Sequence, residues 1–241
     1  MPEHPTTGIR RGSGSLARSL ARIPLFANVA PEELDHIAAA AYERHLSRGE
    51  TLFQKGDMPH GFFLVTRGQI KLAVSNVKGQ EKVVDVLCAG HSFGEAVLFL
   101  DAPYPVFAQA VFDSTVVAIP RLQILELLAR EPSVARRMLS GMAERICELM
   151  RDLEIYSQRS GTRRLAEFIL RAAENSAAAA QMDRFSIDLP SPKQVLASRI
   201  SLTPEAFSRS LHELAERGLI KIHGKHLDVP DLEKLRQFDA Q

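Results

Sequence analysis

SPKQVLASRISLTPEAFSRSLHELAERG, residues Ser191 to Gly218, holds two helix starts within a dozen residues of each other. Ser191 reads as an N-cap, with Pro192 at the first helical position and Gln194 three residues on, so the free amides of a helix start find acceptors. Val195, Leu196 and Ile200 give that helix an apolar face. Thr203 is the next N-cap, followed by Pro204, and Phe207, Leu211 and Leu214 recur at helical spacing until Gly218 closes the segment. Two helices this short and this close predict a helix-turn-helix, a motif that offers the start of its second helix to the major groove of DNA. The side chains so offered are Glu205, Ser208 and Arg209. An Arg fork suits guanine O6 and N7, a Glu accepts from an amino group of cytosine or adenine, and a Ser donates or accepts. Spacings of three and four residues place all three near one helix face. The plainer alternative is an amphipathic hairpin of an ordinary bundle with its polar face solvated.

The residues that follow favour the first reading. Leu219 to Val229, LIKIHGKHLDV, alternates around His223-Gly224-Lys225 and predicts a short β-hairpin, which makes the unit a winged helix-turn-helix. Lys221, Lys225 and His226 are placed to reach phosphates, and Ser191, Lys193 and Thr203 sit at helix starts suited to phosphate contact.

Composition sets limits on the remainder. The 241 residues are 45% hydrophobic and 24% charged, enough apolar material for the cores of one or two soluble domains. A formal net charge of +1 means that DNA affinity must come from locally placed cations. Cys88 and Cys147 stand far apart without metal-ligand or redox spacing, so free thiols in a reducing cytoplasm are expected. The first 15 residues, rich in Pro, Gly, Ser and Thr, read as a disordered tail without the apolar run of a signal peptide, and no segment reads as membrane-spanning.

Upstream, Leu16 to Ala41 reads as helix, turn, helix. From Arg48 to Ile119 the runs TLFQ, FFLVT, QIKLAV, KVVDVL and TVVAI alternate with glycines, predicting an antiparallel barrel or jelly roll. A long helical stretch begins near Arg121, breaks at Glu131-Pro132 and runs to Tyr156. In it Leu139, Met142, Ile146, Leu149, Leu153 and Tyr156 recur at alternating spacings of three and four, the pattern of a coiled-coil seam between two copies of the chain. The alternative is a helix lying on its own domain's core. The expected organisation is an α+β chain: tail 1–15, β-roll sensor domain 16–120 with N-terminal helices, dimerisation helix 121–160, and winged helix-turn-helix domain 161–241.

In that order the parts resemble the CRP/FNR family of bacterial transcription regulators. Its local marks are Ile23 to Phe26, Gly49 to Phe53, Lys55-Gly56-Asp57, Phe62 to Gly68, Gly90 to Glu95 and Glu205 to Arg209. The resemblance implies a homodimer on double-stranded DNA with RNA polymerase as a further partner. It also implies an effector in the roll, for which Phe93, Gly94, Glu95, Ala96 and Phe107 are the candidate lining residues. Glu205, Ser208 and Arg209 look like the FNR type, which implies palindromes of the TTGAT-N4-ATCAA kind; Pro204 stands where the cyclic-AMP branch carries an Arg. Members that bind cyclic nucleotides hold the phosphate with an Arg-Ser or Arg-Thr pair, where this chain reads Pro103 to Ala108, PYPVFA. The N-terminal cysteine cluster of the oxygen-sensing branch is missing.

Phe93 to Ala96, Asp101 to Pro103 and Ala108 to Ala110 are similar to Dnr-type regulators of denitrification, which implies nitric oxide sensing through haem. His91 and His36 are the candidate ligands on chemical grounds alone, with no axial-ligand motif to carry over. A cyclic-nucleotide-responsive regulator of the same fold is the alternative within the family. A cupin-like metal-dependent enzyme is the alternative outside it, although only His91 and Glu95 match the ligand pattern such a site needs.

Overall fold

The structure, a computed structural model, describes residues 13–240 apart from 22, 27, 77–78, 159, 175–184 and 190–191. The chain divides into two compact units, Met1–Cys147 and Glu148–Gln241. The expected tail of residues 1–15 lies mostly outside the described residues, and its last part is already helical: α1 spans Ser13–Leu20 and buries Leu16 and Leu20. A single turn at Pro24–Phe26 and α2, Pro31–Ala40, complete the entry helices.

Among the described residues, eight strands then build the roll: β1 (Tyr42–Leu46), β2 (Thr51–Phe53), β3 (Gly61–Arg67), β4 (Gln69–Ser75), β5 (Glu81–Cys88), β6 (Ser92–Phe93), β7 (Phe107–Ala110) and β8 (Ser114–Pro120). They form two antiparallel sheets, ordered β1-β8-β3-β6 and β2-β7-β4-β5. The first sheet is covered on both faces. Phe62, Leu64, Val117 and Ile119 pack against the helices, while Val65 and Val116 enter the roll interior. A strand buried on both sides needs apolar residues at every position, which is why FFLV is an unbroken run and not an alternation. Gly68, at the tight hairpin between β3 and β4, has φ +79°, and a Cβ there would meet the Ser114 hydroxyl and stand 2.7 Å from the Asp113 carbonyl oxygen. Only glycine fits that approach.

A short helix, α3 (Glu95–Leu100), interrupts the strands. After β8 come α4 (Arg121–Arg130) and α5 (Pro132–Gln158), separated at Glu131-Pro132 as expected. At the start of α5, Val134 and Met138 are buried in the core formed with α1, α2 and α4. Farther along, Leu139, Ile146 and Leu149 are 63%, 53% and 37% exposed. Among the described side chains, the long helix is therefore a core helix over its first two turns. Met142 is half-buried, and Leu153 and Tyr156 lie outside the residues whose side chains are described.

The second unit contains α6 (Gly161–Glu174), β9 (Phe185–Asp188), α7 (Lys193–Arg199), α8 (Pro204–Glu216), β10 (Lys221–His223), β11 (His226–Val229) and α9 (Leu232–Ala240). Its core joins Leu165, Ile169, Leu196, Phe207, Leu211, Leu214, Leu227 and Leu235. The hairpin predicted after α8 is β10–β11, paired Lys221 to Asp228, Ile222 to Leu227 and His223 to His226. A third strand absent from the sequence reading, β9, completes the sheet by pairing with β11.

Candidate nucleic-acid interface and sensor site

Helix α8 begins at Thr203, whose hydroxyl accepts from the Ala206 amide at 3.2 Å, as the sequence predicted. The start of α7 differs by one residue. Pro192 occupies the N-cap and its carbonyl accepts from Val195 and Leu196, so Pro192 is not the first helical residue; Ser191, the predicted cap, lies outside the described residues. Helix α8 buries Phe207, Ser210, Leu211 and Leu214, which leaves Glu205 and Arg209 exposed and Ser208 half-exposed on the other side. The three expected base readers thus share one exposed face. Hydrogen bonds to its own amide and to Thr203, with Arg209 one turn on, hold the Glu205 carboxyl below the usual carboxylate range. It is an ionised acceptor when DNA arrives. Lys193, Lys221 and Lys225 are all exposed at the edges of the motif.

The turn of the wing is Gly224-Lys225, with Gly224 at φ +66°, the place where a two-residue hairpin turn takes glycine. Beside it lies a charged cluster that the sequence did not disclose. His226 Nδ1 is 2.9 Å from Asp188 Oδ1, and its Nε2 is 3.1 Å from Asp228 Oδ1. Only imidazolium has two N–H donors for two carboxylates. The Asp188 hydrogen bond, with the charges of both aspartates, raises the His226 pKa above its ordinary value of 6.5. The signal is only partly local: Asp228 is two residues away, but Asp188 is brought opposite His226 by the β9–β11 pairing.

In the roll, Phe93 is buried in the interior, where its ring stands 5.3 Å from that of Phe63 and 6.2 Å from that of Phe53. Phe53 stacks on Tyr104 with centroids 3.7 Å apart. Burial pushes the Tyr104 hydroxyl up to about 12, and it donates to the Gly61 carbonyl at 3.3 Å. Gly94 (φ +92°) precedes α3 and places Glu95 beside this cluster. Burial raises the Glu95 pKa, against hydrogen bonds from Ser92 and its own amide that lower it.

Two expected lining residues lie elsewhere. Ala96 is exposed. Phe107 alternates with Ala108, and because Ala108 and Ala110 enter the interior, Phe107 points to the opposite face of its sheet, where Lys71 Nζ stands 5.5 Å over its ring. Interior groups that the sequence did not single out are Phe53, Phe63 and Tyr104, the last hidden between two prolines in a segment read only for its lack of Arg.

Residues 92–107 contain no Lys, Arg or His. Neither proposed haem ligand faces the interior: His36 sits on α2 with Nε2 3.2 Å from Glu126, and His91 is exposed with Nδ1 3.1 Å from the Cys88 carbonyl oxygen. These two histidines do not fit an axial-ligand role inside the roll. Among the described residues no three of His, Cys, Asp or Glu come together as a metal site, so the cupin reading finds no centre among them. No described helix is long and apolar enough to cross a membrane.

Comparison with known proteins places these parts. Residues 43–131 match the model of the cyclic nucleotide-binding domain, and residues 163–238 match that of the Crp-like helix-turn-helix domain. The cyclic AMP receptor protein of Thermus thermophilus is 29% identical over 216 residues, which cover 89% of this chain and 96% of that protein. The fumarate and nitrate reduction regulatory protein of Escherichia coli is 25% identical over 207 residues, covering 86% and 81%. The structure of FixK2 from Bradyrhizobium japonicum superposes with a TM-score of 0.73 over 83% of this chain and 98% of that one; at 19% identity this is a likeness of fold.

The His226 cluster has a testable pH dependence. A pKa raised on folding means that the ion pairs contribute fully below the unfolded value of 6.5 and are lost as pH rises through the folded value. NMR titration of the imidazole should give a midpoint above 6.5, and Asp188→Asn should move it down. A wild-type midpoint at or below 6.5 would contradict the two-carboxylate clamp.

Proposed function

This chain belongs to the CRP/FNR family of transcription regulators, and from that premise we propose that it binds a palindromic DNA site of the TTGAT-N4-ATCAA type as a homodimer, under control of an effector held by the roll. The observation that carries the reading is the exposed face of α8, where Glu205, Ser208 and Arg209 stand opposite the buried Phe207, Leu211 and Leu214. Inserted into the major groove, Arg209 pairs with the guanine of TTGAT through O6 and N7, and Glu205 accepts from a cytosine or adenine amino group. Lys193, Lys221 and Lys225 supply phosphate contacts, which set register without reading sequence.

The exposed Leu139, Ile146 and Leu149 of α5 support a paired helix, because such a stripe on a long helix is costly to leave in water. Pairing two copies carries two recognition helices to half-sites about one helical turn apart. Arg145 of α5 bonds Asp85 of β5 at 2.8 Å, so a change in the roll is felt directly by the helix. An effector that binds one arrangement better than another shifts the population of DNA-competent dimers. The aromatic interior and the absence of a cation between Ser92 and Phe107 favour an uncharged, apolar or planar effector. RNA polymerase is the further protein partner of this reading.

A cyclic-nucleotide effector is the second reading, favoured by the likeness to a protein named as a cyclic AMP receptor. Its difficulty is electrostatic: a buried phosphate anion needs a paired cation or several donors, and residues 92–107 provide no basic side chain. Calorimetric titration should detect no cyclic-AMP binding, whereas a micromolar constant with a matching gain in DNA affinity would favour the second reading.

Arg209→Ala should cost about 1–3 kcal/mol on the palindrome and relax the choice of base at its guanine. Lys225→Ala should weaken binding to all duplexes alike. Equal losses for Arg209→Ala on palindromic and scrambled DNA would remove the base-reading role. Replacing Ile146 and Leu149 together by Glu should yield monomers in sedimentation velocity; an unchanged dimer would remove the seam.

A further inference from the structure

We propose that Arg164 is a positioning residue for DNA recognition: from α6 it clamps the turn between α7 and α8 and so sets the angle at which Glu205, Ser208 and Arg209 are presented. The inference rests on the reading of α8 as the base-reading helix. Arg164 Nη1 donates to the Ser201 carbonyl at 2.9 Å and to the Ile200 carbonyl at 3.2 Å. Ile200 is the C-cap of α7, where backbone carbonyls run out of intrahelical donors, so a guanidinium there satisfies acceptors and meets the negative end of the helix. The guanidinium also keeps its Nε buried without an acceptor. A flexible side chain free to turn would seek water for that donor; this one is held where two carbonyls need it.

What it holds is a strained joint. Ser201 has φ +57°, a left-handed conformation unfavourable for a residue with a Cβ, and it lies between the two helices. The Leu202 amide returns to the Ala197 carbonyl at 2.8 Å, and Thr203 then opens α8. With its carbonyl and that of Ile200 pinned from outside, Ser201 cannot relax to the ordinary right-handed or extended regions without breaking the clamp. The direction of α8 leaves this joint, so the dihedrals of Ser201 aim the recognition face.

Neighbouring residues of α6 lie close to the turn and to α8. A Cβ at Gly161 would stand 3.0 Å from Leu202 Cδ2, and Thr162 Oγ1 lies 2.5 Å from Glu213 Oε2 and 3.4 Å from Ser210 Oγ on the buried side of α8. The first turn of α6 thus bonds the turn through Arg164 and the recognition helix through Thr162. Both carbonyls are reached by the two N–H bonds of one nitrogen, Nη1, whose directions are fixed in the guanidinium plane, whereas a Lys ammonium is a rotatable point charge on a flexible stem.

The test compares Arg164→Met, Arg164→Lys and Arg164→Met/Ser201→Gly with the wild-type chain, using fluorescence anisotropy on a TTGAT-N4-ATCAA duplex and on a scrambled duplex. Circular dichroism fixes a temperature at which every variant is folded. Arg164→Met should lower the ratio of palindrome to scrambled affinity at least tenfold while scrambled-DNA affinity changes less than twofold. A residue that only stabilises the domain would leave that ratio unchanged in the folded protein. Arg164→Lys should fall between the two, and it keeps the test alive if the Met variant does not fold. Glycine at 201 relieves the left-handed strain, so the double variant should regain part of the ratio.

An unchanged ratio in Arg164→Met or, where only that variant folds, in Arg164→Lys overturns the positioning role while leaving the base-reading role intact. A wild-type chain that binds both duplexes equally removes the base-reading role itself, and the positioning role falls with it.

Discussion

The one-sided burial of α8 is the constraint on which the recognition surface depends. Phe207, Leu211 and Leu214 are buried together with Leu165 and Ile169 of α6 and with Leu196 of α7. Each such side chain is stabilised by about 1.5–3 kcal/mol on burial. Turning α8 about its axis to expose all three would therefore cost roughly 5–9 kcal/mol, as much as the whole net stability of a typical domain. The rotation of the helix is in effect locked. Because Glu205, Ser208 and Arg209 lie on the remaining arc, the apolar core decides which polar side chains face outward, although none of its members would touch DNA.

The roll obeys a different economy. The central strands β8 and β3 of its sheet β1-β8-β3-β6 are covered on both sides and are apolar along most of their length, while the interior gathers Phe53, Phe63, Phe93 and Tyr104 into a stack. With its pKa raised to about 12, the Tyr104 hydroxyl remains a neutral donor at any ordinary pH. Glu95 is an ionisable group beside the stack, and burial favours its neutral form. On the proposed reading, an effector held in such an interior would be selected by shape and by a few hydrogen bonds. An anionic ligand would lose its hydration there without gaining a cation from the segment between Ser92 and Phe107.

Elements were legible in the sequence where the pattern that specifies them is local. Thr203-Pro204 and the Phe207-Leu211-Leu214 spacing located α8, Gly224 located the wing turn, and Glu131-Pro132 located the break before α5. Short pieces escaped. Strand β1, YERHL, is polar at its half-buried positions, and β9 is four residues long and gains its meaning by pairing with β11. The assignment of Phe107 to the interior failed for a related reason: in a strand one step of register reverses the face, and the register of β7 is set by its pairing with β4 and β2.

By itself the sequence determined the kinds and order of the main elements, the polar arc of α8 and the lack of a basic residue from 92 to 107, because helix periodicity, capping and composition are properties of neighbouring residues. Tertiary structure alone decided that His226 meets Asp188, that Tyr104 stacks on Phe53, and that Arg164 reaches the carbonyls of Ile200 and Ser201. Those partners are 38, 51 and at least 36 residues apart, so no local pattern encodes them. They meet because sheet pairing and core packing bring distant segments together, and only there do distances short enough for hydrogen bonds and ring stacking arise.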